Sequence, residues 1–325
     1  MRRRLLAAAA ATTALAAALT ACGTTQEAES EAAPEAKQIV LKDATGASVT
    51  LDGPATKVVG TEWGVVENLV SLGVAPVGVA DVKGYGLWSS AVPLRNKPKD
   101  IGTRGEPSID TVASLSPDLV VATTDLPTAA IKQLKKVAPV LVVRPAKASD
   151  QIAQMTGNLD LVAQATGREK QAAEVERSFR DKVAAGKAEL EKAGLGGAKV
   201  AFADGYLESN QVGIRPYTTG SLIGSVTAEL GLADAWKLKG DQDYGLAATD
   251  VEGLTKVGDA HFVYLVNDGD GGDPFSTVLG KNAVWKSLPF VKKGEVSRLP
   301  DGIWMFGGPA SMEAYVDALV AALTK

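Results

Sequence analysis

Short runs of wholly apolar residues recur along this chain, and they restrict its fold more than any other feature. Lys57-Val58-Val59-Gly60, Val77-Gly78-Val79, Asp118-Leu119-Val120-Val121 and Val140-Leu141-Val142-Val143 are too short for helices and lack alternation with polar residues. A strand that is apolar on both faces must be covered on both faces, which is the condition of a buried parallel sheet. Between these runs lie helical stretches: 63–72, closed by Gly73 as a C′ glycine, then 108–115 and 128–137. Alternation of strand and helix places the chain in the α/β class, with helices on both sides of a sheet.

A second block in the same style begins near Ala198. Lys199-Val200-Ala201-Phe202-Ala203 reads as a strand, 221–230 as a helix stopped by Gly231, 261–266 as a strand and 313–323 as a closing helix. Between the blocks, 150–165 and 169–193 read as helices interrupted near Gly167, with Ser149 or Asp150 capping the first. A helix of about 16 residues spans roughly 24 Å, enough to run between two lobes. The 325-residue chain exceeds what one ordinary core organises, so two lobes are expected, over 38–147 and 168–325, with an interlobe helix over 148–167. A helical connection bends less than paired extended strands, so any closure should be small.

The N-terminus assigns a compartment. Met1-Arg2-Arg3-Arg4 followed by the Ala-, Leu- and Thr-rich stretch 5–19 has the form of a signal peptide and is short for a membrane span. Leu19-Thr20-Ala21-Cys22 matches the bacterial lipobox. That match implies removal of 1–21 and lipidation of Cys22, anchoring the protein to the outer face of the cytoplasmic membrane. Cys22 is the only cysteine, so no internal disulfide is available. The Ala-, Glu-, Thr- and Ser-rich segment 22–37 is expected to be a disordered tether. A formal charge of −4, lower still once three leader arginines are lost, argues against a nucleic-acid partner.

Several chemistries are excluded. The one histidine, His261, opens an apolar run and reads as a satisfied core residue. It cannot supply the His and carboxylate clusters that free zinc or manganese requires. There is no Gly-x-Ser-x-Gly elbow and no P-loop. Asn267-Asp268-Gly269-Asp270-Gly271-Gly272-Asp273 has calcium-loop composition, but Leu279 stands where the bidentate Glu belongs, so a flexible acidic loop is expected. A paired-carboxylate exported hydrolase stays open on composition alone, and a purely structural lipoprotein gives no reason for so many loop aromatics.

Several segments together resemble the ABC-importer binding proteins for siderophores and cobalamin. They are Leu72-Gly73-Val74-Ala75-Pro76-Val77-Gly78-Val79, the stretch Ile101-Gly102-Thr103-Arg104-Gly105-Glu106-Pro107 with Ser116-Pro117-Asp118-Leu119, and Trp285-Lys286-Ser287-Leu288-Pro289. The resemblance implies two Rossmann-like α/β lobes, a ligand in the cleft between them, no cofactor of the protein's own and no enzymatic activity. Thr61-Glu62-Trp63, Tyr85-Gly86-Leu87-Trp88, Asp243-Tyr244-Gly245 and Ile303-Trp304-Met305-Phe306-Gly307 fall where the ferric hydroxamate-binding subfamily has pocket segments. Carried across, Arg104 would donate to the iron-bound oxygens, Trp63, Trp88, Tyr244, Trp304 and Phe306 would be walls, and Arg215, in a loop, a second donor. Against that role, Arg104 pairing with Glu106 or Asp110 at the surface is the plainer alternative. Trp236 and Trp285 are assigned to core or hinge packing. A ferric siderophore saturates its own iron and asks for apolar walls and a few donors, with Arg suited to charge-assisted donation. Asp110 and Glu252 match positions where the family meets permease arginines, one per lobe. The implied partners are a ferric siderophore and an ABC permease dimer, the binding protein itself being a monomer. Ferric citrate, a catecholate siderophore, haem or a cobamide are the alternative ligands.

Overall fold

The described residues, 38–209 and 211–325 of this computed structural model, build two α/β lobes, each around a mostly or wholly parallel sheet. The leader, Cys22 and the tether lie outside the described residues. The N-terminal lobe opens with an antiparallel hairpin, β1 (Ile39–Lys42) and β2 (Ser48–Leu51), whose turn is tied by the Asp43 carboxylate accepting from Thr45 and Ala47 N–H groups. There follow β3 (Val58–Gly60), α1 (Trp63–Ser71), β4 (Gly78–Val79), α2 (Val82–Trp88), β5 (Lys99–Asp100), α3 (Ile109–Ser114), β6 (Leu119–Thr123), α4 (Thr128–Leu134) and β7 (Val140–Val143). The five sheet strands lie in the order β5-β4-β3-β6-β7, all parallel. The uniformly apolar runs are explained by their two faces. Val58, Leu119, Val121, Leu141 and Val143 pack into one core, and Val59, Val120, Val140 and Val142 into another on the opposite side.

The connecting helix α5 (Gln151–Thr166) starts at Asp150, whose carboxylate accepts from the Ala153 N–H, and ends at Gly167 in the left-handed region at φ 65°. Helix α6 (Glu169–Lys192) follows and packs along the last helix of the chain. The C-terminal lobe contains β8 (Lys199–Glu208), β9 (Gln211–Pro216), α7 (Leu222–Glu229), β10 (Ala233–Asp234) and β11 (His261–Leu265). The short helices α8 (Pro274–Thr277), α9 (Ala283–Ser287) and α10 (Pro289–Lys292) lead to β12 (Val296–Arg298) and α11 (Pro309–Leu323). Its parallel order is β10-β8-β11-β12, with β9 antiparallel on β8. Strand β8 is twice the expected length. Beyond Asp204 it carries the exposed Tyr206 and Leu207 and pairs with β9 and not with β11, so the apolar run reported only the buried half. Trp236 and Trp285 lie in the core of this lobe around Phe262, as assigned.

Two expectations change. His261 is half-buried at the start of the interior strand β11, with Nδ1 2.5 Å from a Glu295 carboxylate oxygen, because β11 begins at the surface before entering the core. The 267–273 loop is held rather than loose: Arg298 pairs with Asp268 and Asp301, and the Asn267 amide donates to the Leu87 carbonyl of the other lobe. Among the described residues, no helix is long and apolar enough to cross a membrane.

A buried acid joins the lobes. Glu67 of α1 accepts from the Gly308 N–H at 2.8 Å and the Ser311 hydroxyl at 2.7 Å, at the start of α11. Unbonded N–H groups at a helix start favour a carboxylate there. Burial nevertheless outweighs these bonds and pushes the Glu67 carboxyl up to about 7.

Candidate functional site

In a doubly wound sheet, ligands bind beyond the carboxyl ends of the strands, where the strand order reverses. In the N-terminal lobe that reversal lies between β3 and β6. The chain leaving β3 carries Glu62, and the chain leaving β6 carries Asp125. Both line a cavity of about 320 Å³ between the lobes. The facing lobe contributes Arg215 from the end of β9, Tyr244, and the segment after β12 with Trp304 and Phe306. Helix α5 forms the remaining side through Gln151, Met155 and Asn158, spaced to share one helical face.

Arg104 crosses part of this space. Its guanidinium lies 4.0 Å from the Trp63 ring centre and 5.1 Å from that of Trp304, and Nη1 reaches Glu62 Oε1 at 3.0 Å. The plane is held by two aromatic faces and one carboxylate. Glu106 and Asp110, the surface partners considered from sequence, are not its partners. Burial raises the Glu62 carboxyl above its ordinary value, and Arg104 opposes that rise. Arg215 is similarly occupied: Nε donates to Asp204 Oδ1 at 2.9 Å and Nη2 to Oδ2. Asp204 also receives the Tyr217 hydroxyl, and burial still raises its carboxyl despite both partners.

Tyr244 reaches across the cleft and donates its hydroxyl to Asp125. Burial and the Asp125 carboxylate raise the Tyr244 phenol well above its ordinary value. Its loop is built for that reach. The Asp241 carboxylate accepts from the Asp243, Tyr244 and Leu246 N–H groups. Burial would raise Asp241, but these donors together hold it below the ordinary carboxylate range. Gly245 takes φ 67°, and a Cβ there would stand 2.1 Å from the Gly220 carbonyl carbon. Beside this loop, Gln151 Nε2 donates to the Gly220 and Asp243 carbonyls, each at 2.8 Å.

Of the residues singled out from sequence, Arg104, Arg215, Tyr244, Trp304 and Phe306 come together on the cavity wall. Arg215 does so from a strand, not a loop, because β9 extends to Pro216. Trp63 and Trp88 do not line the cavity. Trp63 is buried beneath Arg104 with its indole N–H on the Ala80 carbonyl at 3.1 Å, and Trp88 packs edge-on against Trp304 and donates to Asp270 at 2.8 Å. They fix Arg104 and Trp304 from behind. Asp110 and Glu252 are exposed, one on each lobe. Sequence reasoning put Glu62 in a pocket segment without giving it a role, and it missed Asp125 and the α5 face. The strand-end rule would have found the two carboxylates, since each stands two residues past the end of its strand. Among the described residues, no group of three or more His, Cys, Asp or Glu side chains is placed to hold a metal ion.

Two parallel-sheet lobes, one bridging helix and an aromatic cleft at the strand ends define a two-lobe solute-binding protein. Residues 58–302 match the periplasmic binding protein family, and the chain belongs to it. The Fe(3+)-citrate-binding protein YfmC of Bacillus subtilis (strain 168) is 27% identical over 303 residues, covering 91% of this chain and 89% of its own. The iron(3+)-hydroxamate-binding protein FhuD of Escherichia coli (strain K12) is 24% identical over 81% of this chain and 85% of its own. The fold is also that of the siderophore-binding protein FhuD from Vibrio cholerae in its Fe3+-Desferal complex. The TM-score is 0.74 at 24% identity, covering 83% of this chain and 98% of that one.

Proposed function

We propose that this chain is the extracytoplasmic binding lipoprotein of an ABC importer and captures a ferric siderophore of the hydroxamate type. The observation that carries this reading is Arg104, held between Trp63 and Trp304 at the wall of an aromatic cleft. A saturated iron complex needs no ligand from the protein. It needs flat apolar walls and a planar donor for the oxygens around the metal. The ferric hydroxamate and ferric citrate relatives support an iron complex as cargo. Cys22 supplies the anchor, and exposed Asp110 and Glu252 supply one permease contact per lobe. We take 38–147 and 168–325 as the lobes and 148–167 as the connection.

The test is tryptophan quenching of the full-length chain by ferrioxamine B, ferrichrome, a ferric catecholate, ferric citrate and haemin in parallel. Trp304 on the cavity wall makes the signal local. Saturable quenching by a hydroxamate, weakened in Arg104→Ala, is the expected result. Binding of a different complex alone would replace the ligand, and silence from all five would return the exported hydrolase to consideration.

A further inference from the structure

The charges around the cavity do not match its aromatic character in a simple way. Four charged residues line it: Glu62, Arg104, Asp125 and Arg215. Each arginine already has a protein carboxylate, Glu62 on Arg104 and Asp204 behind Arg215. Among the described residues Asp125 is then left with no cation, bonded only to the neutral Tyr244 hydroxyl at the mouth of the cleft. Counted with Asp204, the wall holds three carboxylates against two guanidinium groups. A polyanion entering here would meet arginines that are already neutralised and a carboxylate with no counter-charge. A neutral complex meets no such penalty, and one with a pendant ammonium gains a partner in Asp125. Charge differences in a partly desolvated cleft are screened less than at an open surface.

We infer that the cleft selects its iron complex by net charge, accepting neutral and cationic complexes and excluding polyanionic ones, with Glu62 and Asp125 as the discriminating residues. This rests on the ferric-complex reading above and narrows it. Glu62 acts by neutralising Arg104, and Asp125 acts directly on the ligand's periphery.

Three ligands sharing one tris-hydroxamate shell isolate the effect: ferrioxamine B with its free ammonium, its N-acetyl derivative, which is neutral, and its N-succinyl derivative, which is anionic. Quenching titrations of the full-length chain at low and high salt should give affinity falling from cation to neutral to anion, about tenfold per charge, with the spread shrinking in salt. Asp125→Asn should weaken the cationic ligand more than the neutral one, so that the ratio of the two affinities falls. Glu62→Gln should strengthen the anionic one, since Arg104 is then free to meet it. Thermal melts of both variants check folding, and a merely structural role would weaken all three ligands alike. Equal affinity for the three would overturn charge selection while leaving the hydroxamate function standing. Binding of ferric citrate or a ferric catecholate, with none of the three bound, would overturn both.

Discussion

Glu67 makes the stability of this protein depend on pH in a direction opposite to that of an ordinary salt-bridged acid. Its carboxyl lies fully buried between the lobes and is pushed up from 4.5 to about 7, with burial as the main cause. The native state therefore holds a proton that the unfolded chain has released. Stability from this group is fully present below about pH 4.5 and is lost as pH rises through about 7. At about 1.4 kcal/mol per pH unit, that window corresponds to a loss of about 3 kcal/mol. Glu67→Gln keeps the volume and an acceptor for the Gly308 N–H but cannot ionise. Urea unfolding followed by circular dichroism and tryptophan fluorescence, from pH 4.5 to 8.5, reads the difference. The variant should gain on the wild type by about 3 kcal/mol across the range. Asp204, also raised, titrates in both proteins and cancels in the comparison, whereas the Glu62 charge is itself one of the smaller causes of the Glu67 rise. Parallel stability curves for the two proteins would refute the reasoning.

Three further outcomes are expected. Arg104→Ala removes the planar donor and leaves Glu62 without its cation, so hydroxamate affinity in quenching titrations should fall roughly 10- to 100-fold, the range of a charge-assisted hydrogen bond. Gly245→Ala forces a side chain into a left-handed position against Gly220, and calorimetry should show destabilisation of about 1–3 kcal/mol with weakened ligand binding through the displaced Tyr244. Phe290→Ala empties a site stacked on Phe262 at 5.0 Å, and chemical denaturation should show a loss of roughly 3–5 kcal/mol with ligand affinity preserved in the folded fraction.

The sheet of the N-terminal lobe was legible because residues such as Val120 and Val121 face different cores and both must be apolar. Hairpin β1–β2 was missed although 48–51 alternates buried and exposed residues. Four residues of alternation are a weak signal beside the apolar runs. The far half of β8 was missed because its outer residues are exposed. In the site, the aromatics at 244, 304 and 306 were found through the family resemblance. Trp63 and Trp88 were expected on the cavity wall and stand one layer behind it, since nothing local distinguishes a wall from its support.

From the sequence by itself came the α/β class, the helical connection and the residue types gathered around the cleft. These follow from short-range rules: which positions must be apolar, where a helix can start or stop, and which side chains can donate. Only the tertiary structure decided the pairings. Arg104 meets Glu62 from 42 residues away, Tyr244 meets Asp125 from 119, and Glu67 meets Gly308 from 241. Charge neutralisation and pKa are set by distances of a few ångströms between such residues. Those distances exist only once the two sheets and α5 have packed, so the charge balance of the cleft is a property of the assembled lobes.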